Sequence, residues 1–265
     1  MTHPLAGKRI VITRPASQVD AFVQALRAVG GVPILFPTLQ LVPTQDNGAL
    51  DDALHRLAEF DWVVFTSANG VRHVMNRLAA LGLPAQALNR PLVAVIGPST
   101  ANALAGCGVR VDLQPPRFVA ESLFEALKSQ GTLTGRRFLL LRAEVARPLL
   151  RDELAANGAA VEEIPVYRTL RGAPDPAAFA QIEVGADVIT FTSPLTAAYF
   201  KELLADRAEL VAQGALAASI GPITAQAVRQ MALPFQDYIV AAEFTVPGLM
   251  TVLAGYFGEP GPIRT

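Results

Sequence analysis

The chain has 265 residues, 51% hydrophobic and 17% charged, enough apolar material for a sizeable core and too much for a disordered chain. Its 22 basic and 23 acidic residues leave a formal charge of −1, so no global basic field draws it to nucleic acid or to an anionic membrane. A single cysteine, Cys107, excludes a disulfide framework and Cys-rich metal sites, and three scattered histidines at 3, 55 and 73 share no metal-ligand spacing.

In chain order, the first nine residues hold no apolar run of signal-peptide length, so a soluble cytoplasmic protein is expected. Residues 10–13, 33–36, 62–65 and 92–96 are short apolar runs rich in β-branched or aromatic residues, which predicts buried strands. Between them lie amphipathic stretches. Residues 17–29 carry apolar side chains at 19, 22, 23, 26 and 29, with Ser17 as the expected N-cap and Gly30-Gly31 as the stop. Helices are also predicted over 49–58, 69–80, 99–105 and 122–128. Two stretches, 91–109 and 210–228, run without a charge, but Gly-Pro interrupts each, and both read as strand, turn and helix rather than as a membrane span. Strand–helix alternation implies an α/β fold, with parallel sheets covered by helices on both faces in two Rossmann-like or flavodoxin-like lobes. The tail 258–265 is left unassigned.

The chain repeats itself. Residues 7–14 align with 135–142 at an offset of 128, and Phe36-Pro37 with Ile164-Pro165 at the same offset. The Asp61–Ser67 run matches Asp187–Ser193 at 126, and the Val95–Ala101 run matches Ser219–Ala225 at 124. Phe118, ahead of a helix, matches Phe244 at 126. The simple cut falls near residue 130. However, Pro-marked extended stretches follow the second strand of each repeat, at 37–43 and 165–174. If these pair, the chain leaves the first lobe near 38 and returns near 165. The expected organisation is then a discontinuous lobe of residues 1–38 and 168–257, a second lobe of 39–167, and hinge strands near 38–43 and 165–171.

Four loops end predicted strands and lead into helices: Thr66-Ser67-Ala68-Asn69, Gly97-Pro98-Ser99-Thr100, Thr192-Ser193-Pro194-Leu195 and Gly221-Pro222-Ile223-Thr224. Ligands of open parallel sheets bind outside the carboxyl ends of strands, where helix starts offer unpaired N–H groups and positive partial charge. The commoner job of Ser and Thr there is capping, and a hydroxyl cannot fully do both. Arginine outnumbers lysine 19 to 3, and Arg14 and Arg142 hold equivalent positions at strand ends as anion ligands. Tyr167, just past Pro165, is a candidate donor to a leaving hydroxyl or a weak acid, the alternative being a tyrosine packed against the hinge with its hydroxyl in water. The dinucleotide fingerprint, the P-loop and the nucleophile elbow are all missing, and Thr13-Arg14-Pro15 stands where a glycine-rich turn would.

Together these segments resemble the uroporphyrinogen-III synthase family: Lys8–Pro15, Phe36-Pro37, Phe65–Val71, Ile96–Thr100, Pro165–Thr169 and Ile220–Ala225. The likeness runs from about residue 7 to 255, and it rests on the joint order and spacing of short motifs. It implies two α/β lobes joined by a two-stranded β-ladder, the first lobe discontinuous. It implies a lyase without metal or organic cofactor that closes hydroxymethylbilane, a linear tetrapyrrole with eight carboxylates, into uroporphyrinogen III. The last pyrrole ring is inverted and water is lost. It further implies substrate binding in an interlobe cleft, by backbone amides at helix starts. By this likeness Tyr167 assists hydroxide loss and Thr224 contacts substrate. Arg14, Thr66, Ser67, Asn69, Gly97, Ser99, Thr100, Arg142, Thr192, Ser193 and Gly221 complete the expected binding set. A monomer is expected, with transient hand-over from hydroxymethylbilane synthase and no nucleic acid or membrane partner. Leu195 stands where Asn69 would have its counterpart, so the two lobes need not contribute equally. Two alternatives stay open: a two-lobed binding protein for a small polyanion, and a relative that kept the fold and lost the activity.

Overall fold

The structure is a computed structural model that describes residues 3–258, and the unassigned tail past 258 lies outside the described residues. The chain begins with β1 (Arg9–Ile12), α1 (Asp20–Ala28), β2 (Val32–Leu35), β3 (Leu39–Pro43), α2 (Gly48–His55), β4 (Trp62–Phe65) and α3 (Ala68–Ala80). It continues through β5 (Leu92–Val95), α4 (Pro98–Ala105), α5 (Ala120–Lys128), β6 (Arg137–Ala143), α6 (Leu149–Ala156) and β7 (Ala160–Arg171). It closes with α7 (Pro176–Glu183), β8 (Val188–Phe191), α8 (Pro194–Leu204), α9 (Ala208–Ala212), β9 (Leu216–Ser219), α10 (Pro222–Gln230), β10 (Asp237–Val240) and α11 (Val246–Gly258). The predicted strands and helices appear within a few residues of their expected bounds. Ser17 is a correction: it lies in a 3-10 turn (Ala16–Gln18), and α1 starts behind Val19 with no side-chain cap. The stop holds, because Gly30 at φ +82° turns the chain out of α1 and the Gly31 amide bonds back to the Leu26 carbonyl.

The chain divides into two compact units, residues 1–40 with 170–265 and residues 41–169. The first unit carries a sheet in the order β10-β9-β8-β1-β2, every pair parallel. This is the flavodoxin-like order 2-1-3-4-5 read from the other edge. The second carries β3-β7-β6-β4-β5, with β7, β6, β4 and β5 mutually parallel. Both chain crossings between units fall inside the neighbouring strands β3 and β7.

The registers of the two sheets coincide through the repeat offsets. Ile10 pairs with Val188 in the first unit, and Phe138 pairs with Trp62 in the second. Arg9 pairs with Val32 and Arg137 with Ala160. Ile239 pairs with Ala218, and an isolated bridge joins their counterparts Leu113 and Ala94. Each unit therefore combines the front half of one repeat with the back half of the other. Helices cover both faces of each sheet. In the first unit Val11, Ile34 and Ile189 pack with Phe191 and Phe200, while Ile10, Ile12 and Val188 pack with Phe22 and Leu26 on the opposite face. The second unit splits its strand residues the same way: Val63 and Leu139 on one face, Val64 and Leu140 on the other.

An ionic staple holds each exchanged pair at the strand starts. Asp187 accepts from the Lys8 ammonium at 3.0 Å and the Arg9 amide at 2.8 Å. Asp61 accepts from the Arg136 guanidinium at 2.6 Å and the Arg137 amide at 2.8 Å. Burial raises the Asp61 carboxyl, but the Arg137 amide and Arg136 outweigh it and hold it below the usual carboxylate range. A depressed carboxylate stabilises the fold above its unfolded pKa of about 3.9 and loses that contribution as pH falls through the folded value. Asp61→Asn should therefore cost about 1–2 kcal/mol of unfolding free energy at pH 7, and the difference from the parent should shrink toward zero at an acid pH beneath the folded value. Urea denaturation at both pH values checks this, and an equal deficit at both would refute it.

Candidate functional site

All four loops singled out from sequence stand at strand carboxyl ends and start helices, but they are of two kinds. Ser67 caps α3, its hydroxyl accepting from the Gly70 amide at 3.0 Å. Ser193 caps α8 in a reciprocal box with Thr196, each side chain accepting from the other's amide at 3.2 Å. Each of these two hydroxyls gives a lone pair to its own helix and keeps its O–H to donate. At α4 and α10 the capping residues are Gly97 and Gly221, which have no side chain to cap with, and Pro98 and Pro222 follow. Proline at the first helical position loses nothing, since that amide lacks a partner anyway. The next amides, of Ser99 and Ile223, have no intrahelical acceptor by geometry. Ser99 and Ile223 are exposed, while Thr100 and Thr224 are buried beneath them. Of these four loops, one in each unit thus leaves a positively polarised helix start without a side-chain cap.

Tyr167 lies on β7, 7% exposed. Its phenol oxygen is 3.1 Å from the Ser67 hydroxyl, and its ring stacks on His73 with centroids 5.4 Å apart and planes at 11°. The Gly70 amide occupies one lone pair of the Ser67 oxygen. If the Ser67 proton points to the phenol oxygen, the phenol's own proton is left for an external acceptor. This chain of hydroxyls starts at the amino end of α3. Burial, and then the charge of Arg72, push the His73 imidazole below its ordinary pKa, so it stands neutral against the tyrosine at pH 7.

The remaining expected ligands separate. Arg14 donates to the Gln18 side chain at 2.9 Å, and its buried Nε has no acceptor within the protein. Arg142, 4% exposed, spends its guanidinium on the Arg147 and Ala146 carbonyls and lies 3.2 Å from a Glu163 oxygen. Arg142 thus braces the turn after β6, but its Nε, like that of Arg14, is buried with no acceptor within the protein. Asn69 accepts from Arg72 at 3.2 Å on the first turn of α3. Thr66 and Thr192 are half-buried at the ends of β4 and β8. The structure joins Ser67 to Tyr167 directly. The expected residues otherwise fall as two sets, with Arg14, Thr192, Ser193, Gly221 and Thr224 in the first unit and the rest in the second.

Sequence reasoning missed His73. Its only signal was a polar residue three positions after Gly70 on a helix whose apolar side chains sit at 71, 74 and 78, which turns it toward the Ser67 end of the helix. A cavity of about 380 Å³ lined by Asp61, Trp62, Leu92 and Arg136 lies at the amino ends of β4, β5 and β6. That is the wrong end of a parallel sheet for the ligand site of this class. Among the described residues no group of three His, Cys, Asp or Glu is placed to hold a metal ion, and no helix is long and apolar enough to cross a membrane.

Comparison with known proteins bears on this arrangement. The family model described as uroporphyrinogen-III synthase HemD matches residues 20–251. A uroporphyrinogen-III synthase of Synechococcus elongatus is 35% identical over 95% of this chain and 96% of its own length. Among solved structures, a mutant uroporphyrinogen III synthase from Thermus thermophilus superposes with a TM-score of 0.61 at 22% identity, covering 96% of this chain and 100% of that one. A uroporphyrinogen-III synthetase from Helicobacter pylori gives 0.60 at 15% identity, covering 94% and 99%. These two structural likenesses speak for the fold.

Proposed function

The chain belongs to the uroporphyrinogen-III synthase family of tetrapyrrole biosynthesis, and from that premise we propose that it closes hydroxymethylbilane into uroporphyrinogen III. The observation that supports this most directly is the pair of uncapped helix starts behind Gly97 and Gly221. A near-neutral protein that must hold an octa-carboxylate needs local anion sites, and backbone amides supply them without net charge. Ser99, Thr100 and Thr224 frame these amides, and Arg14 adds a guanidinium with a donor to spare. Thr66, Asn69 and Thr192 stand beside the capped helix starts as secondary contacts.

The chemistry asks for orientation more than for acid or base strength. The electron-rich terminal pyrrole expels the hydroxyl of its CH₂OH group and becomes an azafulvenium cation. Left alone, that cation closes on the unrearranged ring and gives isomer I. The protein must hold the chain so that attack through the substituted carbon wins instead: the spiro intermediate it creates breaks the bond from that carbon to its original methylene, and the ring's free α-carbon takes that methylene, which inverts the ring. In this reading Tyr167 gives its phenolic proton to the departing oxygen, and water leaves. The Ser67 hydroxyl holds the phenolate oxygen meanwhile. The proton returns when the closed ring regains aromaticity by losing its own proton, so the phenol is restored and the net change is loss of one water.

The same reading makes the protein a cytoplasmic monomer that takes its short-lived substrate by transient hand-over from hydroxymethylbilane synthase. The spontaneous closure of the substrate supports the hand-over, and size-exclusion chromatography checks the monomer. The decisive test generates hydroxymethylbilane in situ with its synthase, adds this protein, oxidises the products and separates the porphyrin isomers. Isomer III above the spontaneous background is the expected result. Isomer I alone, from folded protein, would move the chain to a polyanion-binding role or to an inactive branch of its family.

A further inference from the structure

We infer that Phe118 and Phe244 are twin aromatic platforms, each receiving one carboxylate-bearing pyrrole ring of the substrate beside the uncapped helix start of its unit; this rests on the function proposed above. Phe118 stands just ahead of α5 and Phe244 just ahead of α11, at equivalent places in the repeat. They are 55% and 65% exposed. Each ring lies against the glycine that opens the neighbouring helix. A Cβ built on Gly97 would sit 3.3 Å from the Phe118 Cβ and 3.4 Å from its Cγ. A Cβ on Gly221 would sit 3.1 Å from Cδ1 of Phe244 and 3.4 Å from its Cγ.

The backbone does not need glycine there. Gly97 and Gly221 have φ of −164° and −173°, extended values open to any residue. What these glycines provide is room for the ring. A lone exposed phenylalanine is ordinary on a protein surface. Two of them, seated on the same glycine of the same uncapped helix in both halves of a diverged repeat, form a reproduced arrangement. It combines a flat apolar face with an amide donor two residues past the glycine it covers, at Ser99 in one unit and at Ile223 in the other. A rigid aromatic ring carrying acidic arms matches both features at once: the ring packs offset or edge-on against the phenylalanine, and an arm reaches the helix start. Neither a purely aliphatic polyanion nor an uncharged ring would use both.

The test compares Phe118→Ala, Phe118→Leu and Phe118→Trp, and the same three changes at 244, in the full chain. Three readouts are taken: KM in the coupled isomer assay, binding of uroporphyrin III followed by its Soret shift, and thermal stability. Alanine and leucine are expected to raise KM and weaken porphyrin binding by about tenfold at each site, tryptophan to restore both, and the melting temperature to stay near the parent's. Leucine as good as phenylalanine would reduce the residue to packing and overturn the platform, as would alanine variants that match the parent in KM and binding. If the parent makes isomer III while the variants are unaffected, the platform falls and the function stands. If the parent makes only isomer I, the function falls, and the platform stands or falls on the porphyrin titration alone.

Discussion

Replacing Tyr167 with phenylalanine is expected to slow formation of isomer III by about 10²-fold, with little change in KM, while spontaneous closure to isomer I continues. The variant removes one oxygen. It leaves the ring, and with it the stack on His73 and the packing beneath β4 and β6. Ser67 still accepts from Gly70, so α3 keeps its cap. The loss in stability should stay near 1 kcal/mol, the ordinary net value of one hydrogen bond. Ser67→Ala separates the phenol's partner from the phenol itself. It also removes the cap, at about 1 kcal/mol, and should reduce kcat by less than Tyr167→Phe because the phenolic proton remains. Ser67→Thr retains a hydroxyl and should recover most of the rate. Unchanged isomer III kinetics in Tyr167→Phe would take the phenol out of the reaction and leave orientation by the helix starts to carry it alone.

The largest effect on folding is expected from Gly172→Ala. Gly172 follows β7 directly, and its amide donates to the Thr38 carbonyl at 2.8 Å. A Cβ there would lie 2.1 Å from the Pro37 carbonyl oxygen and under 3 Å from backbone atoms of Thr38 and Leu39. None of these atoms ends a flexible side chain, so the clash can be relieved only by parting two main-chain segments and giving up the Gly172 hydrogen bond. A cost of about 3–4 kcal/mol follows from overpacking plus the lost bond. Gly255→Ala is the control: it lies in α11, and a Cβ there meets nothing within 4 Å. Alanine there should be neutral or slightly stabilising. Guanidinium denaturation of both variants reads the contrast, and a Gly172→Ala deficit below about 1 kcal/mol would show that the segment yields without penalty.

The candidate site is partly legible in the sequence. Its four loops can be found because strand carboxyl ends running into helices have a local signature in β-branched runs, Gly-Pro and Ser-Thr. Their division is not read out, although Ser67 and Ser193 differ from Gly97 and Gly221 in the one atom that decides it. A side-chain oxygen at the cap turns inward to satisfy the helix, and its absence leaves the amides available. Arg14 and Arg142 look alike in sequence, yet the turn after β6 brings the Arg147 and Ala146 carbonyls back onto the terminal nitrogens of Arg142 and leaves only its Nε without an acceptor. His73 and Phe118 carry no local signal of this kind. Each becomes informative only through a neighbour that the fold brings to it, Tyr167 for one and Gly97 for the other.

The sequence by itself determined which segments are strands, which ends of them start helices, and how far each repeat lies from its copy. Those are local matters of side-chain shape, periodicity and capping. Only the tertiary structure decided which halves fold together. β6 has the same local character as β1, and β4 the same as β8, so the pairings actually made, β1 with β8 and β6 with β4, are no better marked locally than those of an uncrossed arrangement. Closure entropy grows only with the logarithm of loop length and barely separates the alternatives. The choice is made where side chains from distant segments meet: in the two-faced cores, at the Asp61 and Asp187 staples, and at the tight approach of Gly172 to Pro37, each a contact between residues that the linear chain keeps far apart.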